Sequence, residues 1–200
     1  MDTNANNNRE SFEDQQVIFV DTHLIQKAVE GLQRAREEFQ TLLEQAEGGD
    51  ASVYYDLGVR YTEGDGTDKD PAQAARWLAS EDGDLRATDL LGRCYQSGAG
   101  VEKDEARAAE LFQQAAEQDY APAQCDLGLS YENGSGVEKD EARAAECYLQ
   151  AAEQDYAPAQ TNLAVCYFNG IGVDKDVECA HQWLEKAAEQ KFPRALNILG

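Results

Sequence analysis

Nothing in this chain of 200 residues is apolar for long. VIFV at 17–20 is too short for a signal-peptide core, and no stretch could cross a membrane. Basic residues are scarce too: 17 lysines and arginines stand against 39 aspartates and glutamates, a net charge of −22. That acidity is spread along the chain rather than held in one tail, so the surface repels phosphate backbones and anionic lipid. Nucleic acid and membrane are therefore excluded as partners, and a protein or peptide, basic if anything, is favoured. Metal and redox signatures are missing as well. Five cysteines at 94, 125, 147, 166 and 179 contain no CxxC, and they are joined by only two histidines, His23 and His181. An odd count at irregular spacing gives no disulfide framework; it suits small core thiols kept reduced in the cytoplasm.

Catalytic signatures are equally thin. The GxGVxKD stretches lack both the GK[ST] ending and the preceding strand of a phosphate loop. EGDGTDKD (63–70) lacks the ligand spacing and closing glutamate of a calcium loop. Cys179 and His181, two apart on a helix, point in different directions. No catalytic, cofactor-binding or metal-ligating residue is assigned, and the chain reads as non-enzymatic.

What the chain has is a period. GVEKDEARAAE occurs at Gly100–Glu110 and again at Gly136–Glu146. It sits inside a longer unit that divides the chain into 51–84, 85–120, 121–156 and 157–192. Such a period marks a stacked repeat protein, in which each unit is one supersecondary element that cannot bury its apolar side alone.

Each unit encodes two helices and a turn. In 85–120, Ala87, Leu90, Leu91, Cys94 and Tyr95 fall at spacings of three and four. Gly92, with Gly58 and Gly128 equivalent and Ala164 in the fourth unit, interrupts that helix. A mid-helix glycine costs about 0.5–1 kcal/mol, so its recurrence implies a partner helix crossing too closely for a side chain. The pairs Gly64/Gly66, Gly98/Gly100, Gly134/Gly136 and Gly170/Gly172 end the first helix and turn the chain. Asp70, Asp104, Asp140 and Asp176 follow four residues later, placed to cap a second helix, and Pro71 suits its first position. That helix packs Ala108, Leu111, Phe112, Ala115 and Ala116, and Trp77 and Trp183 read as core at equivalent positions.

The string A-x-A-Q-x-x-L-G-x-x-Y-x-x-G-x-G-V-x-x-D, clearest in APAQCDLGLSYENGSGV (121–137), resembles the Sel-1-like repeat family over 51–192. The resemblance implies an all-α fold, a right-handed superhelix of antiparallel helix pairs, acting as a protein-binding scaffold or adaptor. The family's cysteine-rich branch carries paired cysteines in each repeat; this sequence does not.

The ends differ from the units. Residues 1–16 are expected to be disordered, and 17–50 to hold one long helix from Asp21 or Thr22. Its stripe of Ile25, Leu32, Phe39 and Ala46 suits a cap over the first unit, which repeat arrays require, or alternatively a homodimer contact. Gly31 weakens that helix. PRALNILG (193–200) opens a fifth unit and stops at the helix glycine, which suggests a piece of something longer.

A partner would sit on the outward stripe of the first helices, the concave face of related solenoids. That stripe reads Tyr55, Val59 and Thr62; then Arg86, Asp89, Arg93 and Gln96; then Cys125, Leu129, Glu132 and Asn133; then Thr161, Val165, Phe168 and Asn169. Val59, Leu129, Val165 and Phe168 point to an apolar groove for a peptide or helix. The alternative function is an acidic inhibitor or immunity-type protein that neutralises a basic toxin or enzyme.

Overall fold

The computed structural model describes residues 22–79 and 83–200, and among them every regular element is helical. The stretch expected to be disordered, 1–16, lies outside the described residues. A long helix α1 (Thr22–Glu47) leads, by a single turn at Ala51–Val53, into four helix pairs. These are α2 (Tyr54–Glu63) with α3 (Pro71–Leu78), and α4 (Leu85–Ser97) with α5 (Glu105–Ala116). They continue as α6 (Ala121–Asn133) with α7 (Glu141–Glu153), and α8 (Ala157–Asn169) with α9 (Val177–Glu189). A short α10 (Pro193–Leu199) closes the series. Each helix packs chiefly on its neighbours in sequence, so the molecule is an α-solenoid of antiparallel hairpins.

The hairpin turn is pinned at several points. Gly98, at φ 76°, sends its amide back to Cys94 O, and Gly134 does the same to Ser130 O. The capping aspartate then works twice. Asp140 Oδ1 accepts from the amides of Ala142 and Arg143 at 3.1 and 3.0 Å, while its own amide donates to Tyr131 O at 3.0 Å. Asp70 likewise accepts from two amides and Asp104 and Asp176 from one each, Arg107 and Cys179, while their own amides donate to the carbonyls of Tyr61, Tyr95 and Tyr167. Thus one residue starts the second helix and ties it to the last turn of the first.

Inside each pair the helix glycine lies against a large side chain. A methyl group on Gly128 would stand 2.6 Å from the Tyr148 ring, and one on Gly92 equally close to Phe112. Phe112 and Tyr148 are fully buried, so neither can retreat. In the fourth pair Ala164 faces the smaller Leu184, both within one apolar cluster.

Between pairs, the second turn glycine makes the joint. A methyl group on Gly136 would overlap the carbonyl of Glu105, the first residue of α5; Gly100 meets Pro71 and Gly172 meets Glu141 in the same way. Gly66 meets Ala35, inside α1. A second joint is polar. The buried Gln124 donates to Ala116 O at 3.3 Å and accepts from Gln154 at 2.7 Å. Gln160 likewise donates to Ala152 O and accepts from Gln190 at 3.0 Å. Each glutamine adds a second hydrogen bond to a carbonyl at the end of the preceding helix, which already accepts the amide of Asp119 or Asp155.

Several details differ from the sequence reading. α1 runs unbroken through Gly31, yet of its apolar stripe only Phe39 and Ala46 are buried, while Ile25 and Leu32 are exposed. The stripe is a cap over its second half alone, because α2 reaches no further along it. Trp77 and Trp183 are half-buried, and Lys186 lies 4.1 Å over the Trp183 ring. The reversals between pairs use Asp119, Asp155 and Lys191, all at φ 59°. The five thiols are free; burial pushes Cys125 up to about 12, and Cys147 and Cys166 up to about 11, so these three stay protonated at neutral pH.

Two substitutions test the joints. Gly136→Ala combines backbone overlap with a left-handed φ and should cost at least about 2 kcal/mol in urea unfolding followed by circular dichroism. Lys191→Gly relieves a left-handed non-glycine residue and should add up to about 1 kcal/mol.

Candidate partner-binding face

The first helices of the pairs share one face, and the side chains that connect them there are mainly polar. Arg93 on α4 binds Asp89 on its own helix at 3.0 Å and Asp126 on α6 at 2.7 Å. Arg194 on α10 donates to Asn162 on α8 at 2.7 Å, and Asn162 in turn reaches Cys125 Sγ at 3.6 Å. Arg86 on α4 lies 4.3 Å over the Tyr55 ring while pairing with Asp84 at 2.7 Å. Tyr120 and Tyr156 flank the Arg93 cluster closely enough to feel its charges.

Asp89 is the unusual member. It is 4% exposed, and its Oδ1 has no hydrogen-bond partner. Burial pushes its pKa up to about 7, against the pull of Arg93 and with help from Asp126. Asp126 is raised as well, again chiefly by burial, with Arg93 opposing.

At the α1–α2 end this face opens into a cleft of about 580 Å³. Glu38, Asp56, Glu63 and Asp65 line it with Tyr55 and Val59; its one cation, Arg60, is bound by both Glu38 and Asp65 at 2.9 Å. Arg60, Arg86 and Arg93 are thus each paired with a carboxylate, while Arg194 meets the neutral amide of Asn162.

The residues singled out from sequence separate into three groups. Tyr55 and Val59 line the cleft, with Thr62 beyond them bonded to Gly58 O. Arg86 and Arg93 are exposed on the shared face and Gln96 is half-buried. Asp89, Cys125 and Thr161 are buried; Thr161, at 0% exposure, spends its hydroxyl on Ala157 O, which corrects the reading of it as a contact residue. Leu129 leans on the central core, and Glu132 accepts from the Tyr148 hydroxyl. Asn133 and Asn169 bond carbonyls of their own helices. Val165 and Phe168 lie at the far end beside Val177 and Ile198. Of the four residues expected to line one apolar groove, Val59 lies at the cleft, Leu129 against the central core, and Val165 and Phe168 at the end face. Asp126, Glu38 and Asp56 went unnoticed in sequence because they are ordinary surface acids until three helices converge. Among the described residues no three His, Cys, Asp or Glu side chains could hold a metal ion, and no helix is long and apolar enough to cross a membrane.

The Sel1 repeat model matches residues 51–80, 86–120, 121–156 and 157–192. Among solved structures the chain is similar to c5321 of uropathogenic Escherichia coli, a protective antigen with an SLR fold, at 37% identity and a TM-score of 0.74. It covers 80% of this chain and 35% of that one. A Sel1 repeat protein from Oxalobacter formigenes shares 32% identity with a TM-score of 0.78, over 82% of this chain and 66% of that one. Helicobacter pylori cysteine rich protein B, at 24% identity and a TM-score of 0.53, covers 65% of this chain and 95% of its own and shares the fold. The chain thus spans about a third of the first of these proteins and just under two thirds of the second. No curated protein is similar in sequence.

The raised pKa of Asp89 carries a definite pH dependence. Between the unfolded value near 4 and the folded value of about 7, the folded chain binds more protons, so this group's contribution to stability falls as pH rises through that window. Asp89→Asn keeps the shape without the charge. Its unfolding free energy in urea, relative to the parent, should rise between pH 5 and pH 8 by at most about 1.4 kcal/mol per pH unit; a flat difference means Asp89 ionises normally.

Proposed function

This chain belongs to the Sel1 repeat family, and from that membership we propose a non-enzymatic scaffold that holds a basic protein segment along its first-helix face. Sel1-repeat proteins generally mediate protein–protein interaction. The finer reading rests on one observation. In the α1–α2 cleft four carboxylates surround a single arginine that is already bound by two of them, so the cleft carries unspent negative charge beside Tyr55 and Val59. A lysine or arginine side chain entering there gains charge-assisted hydrogen bonds, and its aliphatic stem can lie on Tyr55 and Val59. A further acid, Asp126, and the Tyr120 and Tyr156 rings continue the same face for a longer segment. The net charge of −22 steers such a partner from a distance, in a salt-dependent way. Buried free thiols support a reducing, cytoplasmic setting.

Fluorescence anisotropy with labelled peptides tests this. Lysine- and arginine-rich peptides should bind, and affinity should fall steeply from low to high ionic strength. The double variant Asp56→Lys, Glu63→Lys should weaken binding by about tenfold or more. Equal binding of glutamate-rich peptides, or an unchanged affinity in the charge-reversed protein, would overturn the reading.

A further inference from the structure

Asp89 stands where the other first helices keep uncharged side chains. Its place in the repeat is held by Tyr55, Cys125 and Thr161, and that of Arg93 by Val59, Leu129 and Val165. The other three pairs therefore stack without this ion pair. Burying a carboxylate is costly unless its oxygens are partnered, and Asp89 Oδ1 has no partner. Joining α4 to α6 needs only Arg93 and Asp126, which meet at 2.7 Å. A buried acid beyond what packing requires points to a role at the face above it.

The cluster is graded in depth. The Asp89 side chain is 6% exposed, that of Asp126 17%, and that of Arg93, which binds both, 45%. Arg93 and Asp126 are the charges that act on Asp89. The Tyr120 and Tyr156 hydroxyls, before α6 and α8, are near enough to feel it, and Tyr55 of α2 adjoins Tyr120. α3 and α5, also packed on α4, bring no charge to bear on it among the described residues. Tyr55 also lines the α1–α2 cleft, so cleft and cluster are neighbouring stretches of one face.

We propose that a basic segment held on this face sets a cation against Asp126, and that Asp89 releases a proton as it does so, making partner binding proton-linked. This rests on the basic-segment reading above. In the free chain one guanidinium serves two carboxylates, and the deeper one holds its proton near neutral pH. A lysine or arginine of the partner that pairs with Asp126 frees Arg93 for Asp89, whose ionised form is then compensated. The Asp89 O–H bond breaks and its proton leaves to solvent. Covering the face takes no further water from Asp89, which is already buried, so the arriving charge acts on it alone. The sign follows. The complex binds fewer protons than the free chain, so affinity rises with pH up to about 7 and levels off above it.

Isothermal titration calorimetry of the full chain with an end-blocked lysine–arginine peptide tests this, in buffers of different ionisation enthalpy near pH 6.5. Binding to the parent should release up to about one proton, and affinity should rise several-fold from pH 5.5 to pH 7.5, by at most about tenfold per unit. Asp89→Asn should lose that release and keep at every pH the weaker affinity of the parent at pH 5.5. His23 and His181 are present in both proteins, so the difference belongs to Asp89. Asp89→Thr, with the residue of the fourth unit, serves should circular dichroism show the asparagine variant misfolded. The cleft variant Asp56→Lys, Glu63→Lys should bind more weakly yet keep the release. Proton release unchanged in Asp89→Asn overturns the proposal and leaves the basic-segment reading standing; no binding of the peptide to the parent overturns both.

Discussion

The array depends on backbone touching backbone at its joints. Each second turn glycine lies directly on the first carbonyl of the preceding second helix, at Pro71, Glu105 and Glu141, and even α1 offers the same contact at Ala35. A side chain there would push one hairpin off the next, and the apolar faces of both would lose their cover. The glycine thereby sets the distance between pairs, and the alanine-rich second helices fit because that distance is short. Everything else follows that spacing: Gln124 and Gln160 can reach the helix ends they bond, and Arg93 can reach across from α4 to α6.

The same spacing shapes the electrostatics. Arg60, Arg86 and Arg93 on the first-helix face stand close enough to neighbouring acids to be paired by them. An acidic chain therefore shows a partner carboxylates and tyrosines rather than a balanced surface. Asp89 marks the limit of this arrangement: it shares one arginine with Asp126, leaves an oxygen unpaired and holds its proton near neutral pH. Removing two charges from water is costly, and the cluster persists because one guanidinium serves two helices at once.

Much of the fold was legible in the residues. The period, the helix register of Leu91 and Phe112, the glycine beneath a large side chain, and the aspartate caps are local or nearly local facts, and each is written at a fixed offset. The partner face was legible only in outline. Tyr55 and Val59 line the cleft, but Thr161 and Asp89 are buried, because a stripe on an isolated helix does not reveal which of its edges the next helix covers.

The sequence by itself determined the unit: two helices, the turn between them, and the faces they bury, since these need only periodicity, caps and glycine conformations within 36 residues. Only the tertiary structure decided which acids gather around which arginine, and which half of α1 is covered. Those outcomes arise from stacking geometry between units, where residues more than thirty positions apart are brought within a few ångströms and no local pattern records the meeting.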